Sequence, residues 1–316
     1  MRVLVTGITG FVGPFVVAAL QARGDDVHGL VRGGRARVAE VGASLGGVAL
    51  RAGDLGDADG FARLVAELAP EAVIHLAAFS FVPEAERDPH TAYRVNLSGT
   101  LAVLAAVRSH APRARVVVAS SSSVYGAGAS ASRACDEETP LRPLTVYGAS
   151  KAAADVAADQ WARAYDLDVV RARPFNHTGP GQAPTFVASA LARQIAAVEA
   201  GKRDVVRIGN MDPVRDFSDV RDVAAGYVAL LERGHGGEVY NLCSGEGVSV
   251  ADVLAILRTH ARVPIRVHVD PALRRGKDLE RLVGSHARAT RDTGWHPHIP
   301  LAETLGTLLD YWRARV

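Results

Sequence analysis

The chain has 316 residues, 48% hydrophobic and 22% charged, and its 36 basic against 34 acidic side chains leave a formal net charge of +2. That length and apolar content suffice for a large core, with two lobes expected, and the even spread of charge, with no basic block or interleaved aromatics, gives no support to nucleic-acid or membrane binding. Cys135 and Cys243 are the only cysteines and no CxxC or Cys/His cluster accompanies them, so no metal site is expected; with no signal segment ahead of the first strand, the expected setting is reducing and cytoplasmic.

The first apolar run, Arg2 to Thr6, ends on the glycines Gly7, Gly10 and Gly13, and a helical pattern follows from Phe11 to Ala22. Strand, glycine triplet and helix together form a dinucleotide site. The first glycine permits a tight turn, the second lets the backbone approach a pyrophosphate, and the third lets helix and strand pack closely, with the phosphates at the positive helix end. Further β runs at Asp26 to Val31, Val48 to Ala52, Ala72 to Leu76, Arg115 to Ser120 and Leu167 to Arg171 alternate with helix-period stretches. This alternation predicts an α/β fold, a doubly wound parallel Rossmann sheet.

At the end of the second run, where an NAD site places a carboxylate for the ribose 2′-hydroxyl, the chain carries Val31 and Arg32. An arginine there can pair with a 2′-phosphate, so NADP(H) is expected in preference to NAD(H); Arg32 and Arg35 as plain solvated charges are the alternative. Asp54 and Leu55, after the third run, fit an adenine contact or a helix cap.

Past Pro174 the pattern changes to a Gly- and Pro-rich segment, Phe175 to Gln182, and then a helix from Phe186 to Ala200. The predicted division is a cofactor domain of residues 1–174 with a return over about 216–245, interleaved with a smaller C-terminal substrate lobe of residues 175–215 and 246–316.

The chemistry is read from Tyr147-Gly-Ala-Ser-Lys151 and from Ala119-Ser-Ser-Ser-Ser-Val-Tyr-Gly126. Residues four apart share a helix face, so the Lys151 ammonium can lie near the Tyr147 phenol and is expected to lower its pKa towards neutrality, where it can exchange protons.

These motifs, with Val73-Ile-His-Leu-Ala-Ala78 and Asn96-Leu-Ser-Gly-Thr100, resemble the extended short-chain dehydrogenase/reductase family over essentially the whole chain. Arg173 to Gln182, Asp212 to Val220 and Glu238 to Gly245 look like its nucleotide-sugar branch, closest to the GDP-mannose 4,6-dehydratase and GDP-4-keto-6-deoxy-mannose reductase group. The resemblance implies that Ser121 and Tyr147 are the catalytic hydroxyls, and that Lys151 holds the nicotinamide ribose and tunes Tyr147. It places the cofactor on Gly7, Gly10, Phe11, Val12, Gly13, Arg32, Asp54, Leu55, Leu76, Ala77, Ala78, Tyr147, Lys151 and Pro174. It places the nucleotide sugar on Ser80, Ser121, Ser122, Asn176, Arg215 and Arg275, with Arg274 able to substitute for Arg275, and it implies a homodimer through helices near Pro89 to Arg108 and Gly148 to Ala164. His177 is assigned no catalytic part.

One departure decides between activities. A 4,6-dehydratase needs a carboxylate to take the C5 proton, and where the family carries glutamate this chain has Ser123 after Ser122. A serine hydroxyl needs its own activating base, so dehydration is disfavoured. The expected activity is NADPH-dependent reduction of the 4-keto group of a nucleotide-linked, GDP-linked, 6-deoxyhexose. An epimerase that retains NADP uses the same residues and is the alternative, with a dehydratase and a non-catalytic NADP-sensing protein further behind.

Overall fold

In the computed structural model, which describes residues 1–42, 45–130, 132–273 and 279–316, β1 (Arg2–Thr6) sets the pattern for the central sheet. Val3 and Val5 pack on one face and Leu4 on the other, all buried, as alternation along a strand requires. The chain continues through α1 (Gly13–Ala22), β2 (Asp26–Val31), α2 (Arg35–Gly42), β3 (Ala49–Ala52), α3 (Ala58–Leu68) and β4 (Ala72–His75). The short helices α4 (Val82–Arg87) and α5 (Pro89–Tyr93), a π-turn over Arg94–Ser98, α6 (Gly99–His110) and β5 (Arg115–Ala119) follow. The long α7 (Val146–Tyr165) leads into β6 (Val169–Pro174).

Beyond β6 the chain leaves the sheet through β7 (Asn176–Thr178), α8 (Val187–Glu199), β8 (Val206–Ile208) and β9 (Val214–Asp219), and returns with α9 (Val220–Arg233) and β10 (Val239–Leu242). Then come β11 (Gly247–Ser249), α10 (Val250–Thr259), β12 (Val267–Val269), β13 (Arg281–Leu282), α11 (Ala287–Thr293) and α12 (Leu301–Arg313). Among the described residues the main sheet has seven strands, all paired in parallel, in the order β10-β6-β5-β4-β1-β2-β3. This is the doubly wound Rossmann arrangement expected from the alternation of runs. Its faces are covered by α1 and α9 on one side and by α3, α6 and α7 on the other. A separate core of α8, α10 and α12 with β8 and β9 forms the second lobe, while Ala289 of α11 and Trp295 pack back on the main sheet's side.

Three elements differ from the sequence reading. The first helix begins at Gly13 rather than Phe11, because Phe11 and Val12 belong to the turn; Pro14 sits in the first helical turn, where its missing N–H costs nothing. The sixth strand runs to Pro174, not Arg171. Two arginines at alternate positions conceal its burial, and Asp155 of α7 neutralises both, Arg173 through two hydrogen bonds at 2.9 and 3.0 Å and Arg171 at 3.3 Å. The stretch from Pro89 to Arg108 is broken by the π-turn at Arg94–Ser98, which turns Asn96 inward.

Candidate active site

The C-terminal ends of the parallel strands open with the second lobe onto one cleft of about 1820 Å³. At its floor, Gly7 has φ +74°, and a Cβ there would stand 2.5 Å from the Ala77 nitrogen and 2.7 Å from the Leu76 carbonyl carbon. No side chain fits between the ends of β1 and β4, and the backbone therefore offers a bare turn below the first turn of α1, whose N–H groups have no helical partners. That is a fitting cradle for a dinucleotide pyrophosphate. Gly10, Phe11, Val12, Gly13 and Ala78 line the same cleft.

A buried polar chain locks this floor. Thr100 donates to the Asn96 carbonyl at 2.7 Å, so it accepts from His75 Nε2 at 3.1 Å, which leaves His75 Nδ1 to accept from the Thr6 hydroxyl at 2.7 Å. Thr6 in turn receives the Ala77 N–H at 3.4 Å. Burial, reinforced by the positive charge of Lys151, holds the His75 pKa down to about 3, so the ring is neutral and the tautomer is fixed by its partners.

At the far end of the cleft, α7 brings Tyr147 against the serine turn. Thr145 caps the helix by accepting from the Gly148 N–H at 3.0 Å. A Cβ at Gly148 would lie 2.6 Å from the Ser123 carbonyl oxygen, so only glycine lets this turn approach so closely. Ser121 is buried, accepts from the Ser123 N–H at 3.2 Å, and lies near enough to the Tyr147 phenol to pull its pKa downward. Asn96 joins the same assembly: it accepts from the Phe79 N–H at 2.7 Å and donates to Ser150 at 2.8 Å, and Ser150 donates to the Tyr147 carbonyl at 2.8 Å.

The electrostatics correct one expectation. Burial raises the Tyr147 phenol above its ordinary value, against a smaller downward pull from Ser121. The sequence reading has it lowered by Lys151. Lys151 instead donates its ammonium to the Ala119 carbonyl, and its own burial, opposed by Asp155 one turn further on, brings it down to about 8.

All the candidate site residues within the described segments line this one cleft. Arg32 stands exposed at the end of β2, and no carboxylate among the described residues pairs with it. Leu55 lies beside Asp54, whose carboxylate accepts from the Gly56 N–H at 2.8 Å, while Asp57 caps α3; the helix-cap alternative for Asp54 is thereby set aside. Ser80 and Asn176 are exposed, Ser122 and Pro174 are buried, and Arg215 donates to the Val214 carbonyl at 2.8 Å. Arg275, with its neighbour Arg274, lies outside the described residues.

His177, assigned no catalytic part from the sequence, stacks on Phe11, with ring centroids 5.9 Å apart and planes 3° from parallel, and donates from Nδ1 to the Phe175 carbonyl at 2.9 Å. The cleft also contains residues that the sequence did not single out. Phe81, Glu86, Phe186 and Arg207 line the cleft as well. Phe186 opens the helix predicted from Phe186 to Ala200, and Asn96 lies in the motif Asn96 to Thr100; Phe81, Glu86 and Arg207 come from segments in which the sequence marked no site. Glu86 stands on α4, and its Oε1 accepts from the Val146 N–H at 2.8 Å. Among the described residues no cluster of three or more His, Cys, Asp or Glu suits a metal, and no helix is long and apolar enough to cross a membrane.

Comparison with known families places these features in context, for the sequence model of GDP-mannose 4,6 dehydratase matches residues 4–308. The chain belongs to that family. Among curated relatives, the GDP-6-deoxy-D-mannose reductase of Pseudomonas aeruginosa is 38% identical over 316 residues, covering 100% of this chain and 98% of the relative. The solved structure of RMD from Pseudomonas aeruginosa complexed with NADPH is 36% identical with a TM-score of 0.86, over 100% of this chain and 99% of that one. The UDP-glucose 4-epimerase of Thermus thermophilus, solved with NAD, is 32% identical with a TM-score of 0.87, each chain covered in full. Relatives with dehydratase, reductase and epimerase names therefore share one fold with this chain, and the site has to separate them.

Proposed function

We propose that this chain is an NADPH-dependent reductase of the 4-keto group of a GDP-linked 6-deoxyhexose. The observation that carries the reading is the pairing of Ser121 with Tyr147 beside a serine turn in which Ser123, not a carboxylate, faces the cleft. The similarity to a GDP-6-deoxy-D-mannose reductase supports the same substrate class.

Residues 1–174 with about 216–245 would hold the cofactor, and residues 175–215 and 246–316 the nucleotide sugar. Gly7, Gly10, Phe11, Val12 and Gly13 take the pyrophosphate, Arg32 the 2′-phosphate, Asp54 and Leu55 the adenosine, and Leu76, Ala77, Ala78, Lys151 and Pro174 the nicotinamide half. A reduced nicotinamide dinucleotide bound there supplies the hydride for C4. Tyr147 gives its phenolic proton to the sugar's O4, a role that the upward shift of its pKa favours by keeping it protonated at neutral pH. Ser121 donates a hydrogen bond to the oxygen as negative charge develops there. Lys151, tethered to Ala119, holds the ribose. Ser80, Ser122 and Asn176 contact the sugar, and Arg215 and Arg275 the diphosphate, for which arginine's planar fork is suited.

The epimerase relatives favour a second reading on the same residues. Stoichiometric loss of NADPH absorbance with a GDP-4-keto-6-deoxyhexose supports the reductase; interconversion of C4 epimers at constant absorbance replaces it with the epimerase. GDP-mannose with NADP should yield no 4-keto-6-deoxy sugar, since Ser123 stands on the serine turn where a dehydratase carries its glutamate. Product formation there would make the chain a dehydratase.

Tyr93 of α5 and Val156 and Tyr165 of α7 are exposed apolar side chains, 39%, 57% and 40% accessible, which supports a homodimer through these helices. Light scattering at micromolar concentration should give twice the 33.3 kDa chain mass, and a monomer would refute it. The two cysteines are unpaired and buried, in keeping with a reducing, cytoplasmic setting.

A further inference from the structure

The rings of Phe81 and Phe186 meet edge to face across the cleft, with centroids 6.1 Å apart and planes at 70°. Phe81 precedes α4 in the first lobe and Phe186 precedes α8 in the second, so the pair bridges the two lobes. Both rings line the cleft, along with Val82, Pro83 and Val187 from the same two helix starts.

The segment carrying Phe81 is tied at both ends to the turn of α7 that carries Tyr147. On one side, Phe79 is held by both amide atoms of Asn96, at 2.7 and 3.2 Å, and Asn96 reaches the Tyr147 carbonyl through Ser150. On the other, Glu86 accepts from the Val146 N–H at 2.8 Å. Phe81 lies between these two ties, and its position relative to the Tyr147 phenol is therefore set by the frame rather than by a free loop. The hydroxyls that flank the rings in sequence, Ser80 and Thr185, are both exposed.

We propose that the Phe81–Phe186 pair is the element that reads the sugar's C6, accepting a methyl and disfavouring a hydroxymethyl. The inference rests on the reading in which Tyr147 faces O4. C6 is two bonds from C4, so a sugar placed for reduction at C4 carries its C6 substituent in the same end of the cleft. A methyl laid against two phenyl rings loses nothing and gains apolar contact. A hydroxyl laid there gives up its hydrogen bonds to water and gains none from the two phenyl rings. The aromatic pair thus makes the 6-deoxy sugar the better ligand without a polar contact to C6. Discrimination by an apolar wall of this kind is on the order of 10- to 200-fold.

The test uses GDP-mannose and GDP-6-deoxymannose, which differ only at O6, in equilibrium binding to the NADPH-loaded protein, with GDP alone as the reference. The wild type is expected to bind the 6-deoxy compound at least about tenfold more tightly. Phe81→Ser and Phe186→Ser, which each place a hydroxyl in the wall, should narrow the ratio to within about threefold, whereas Phe186→Leu, which keeps it apolar, should preserve it. NADPH binding by each variant shows that it is folded, and the wild-type ratio stands as a test if a variant is not. Equal wild-type affinity for the two sugars, each tighter than GDP, overturns the inference and leaves the nucleotide-sugar reading intact: Ser80 or Thr185 would then be satisfying the 6-hydroxyl. Failure of both sugars and of GDP to bind removes the reading and the inference together.

Discussion

Lys151 donates its ammonium to the carbonyl of Ala119, the last residue of β5, although the α-helix places Tyr147 one turn before it. The lysine is thereby tethered to the strand end that leads into Ser120 and Ser121, and its charge is drawn away from the phenol.

This arrangement determines which group titrates in the working range. Reduction delivers a proton to O4, so the protonated acid is the active form, and Tyr147, raised by burial, keeps its proton well past neutrality. Lys151 loses its proton at about 8. With the ammonium that holds the ribose losing its charge there, the rate of NADPH oxidation should fall as pH rises through about 8, and in Lys151→Met that limb should vanish, with activity lowered at every pH. Tyr147→Phe, which removes the proton donor, should lose roughly 10²- to 10⁴-fold while NADPH affinity stays nearly intact. A limb that survives unchanged in Lys151→Met would assign it to another group.

The Asp155 carboxylate, fully buried on α7, is held below its ordinary range against the cost of burial, chiefly by its hydrogen bonds and charge interaction with Arg173. Asp155→Asn leaves Arg173 and Arg171 without their counter-charge inside the protein, and should cost about 3 to 5 kcal/mol of unfolding free energy in urea titrations. Because the folded pKa is depressed, the stability it contributes is present above the unfolded value of about 3.9 and is lost as pH falls through the folded one. A change below about 1 kcal/mol would mean that water reaches the arginines when the carboxylate is gone.

His75 gives a second linkage with a different window. Its folded pKa is about 3 against 6.5 for the free side chain, so between those values the unfolded chain binds a proton that the folded chain refuses. Stability should decline from about pH 6.5 downward, with a slope of up to one proton. In His75→Asn, which retains hydrogen-bonding groups without titrating, that part of the slope should disappear from the pH dependence of the urea midpoint. An unaltered slope would show that His75 is charged in the fold.

Arg32 tests the cofactor preference. If it pairs with the 2′-phosphate, Arg32→Asp removes a charge-assisted contact and introduces repulsion, weakening NADPH by about 1 to 3 kcal/mol while sparing NADH. Fluorescence titration of the wild type with each cofactor is the direct check: equal affinities would leave the preference without a basis.

Taken alone, the sequence was sufficient for what depends on local order. Gly7, Gly10 and Gly13 between an apolar strand and a helix point to a bare turn at a helix N-terminus, because glycine's lack of a Cβ is a property of the residue itself. Tyr147 and Lys151 share a helix face for the same reason, since 3.6 residues per turn is a local constant. What the tertiary structure alone decided is how distant segments meet. The inward turn of Asn96, the neutral tautomer of His75, the burial of Arg171 and Arg173 in a strand that reads as charged, and the Phe81–Phe186 bridge each depend on partners 16 to 105 positions away in the chain. The direction of the Tyr147 shift belongs to that second group. Spacing puts a lysine near the phenol, but desolvation is a property of everything packed around it, and only the assembled fold fixes which of the two prevails.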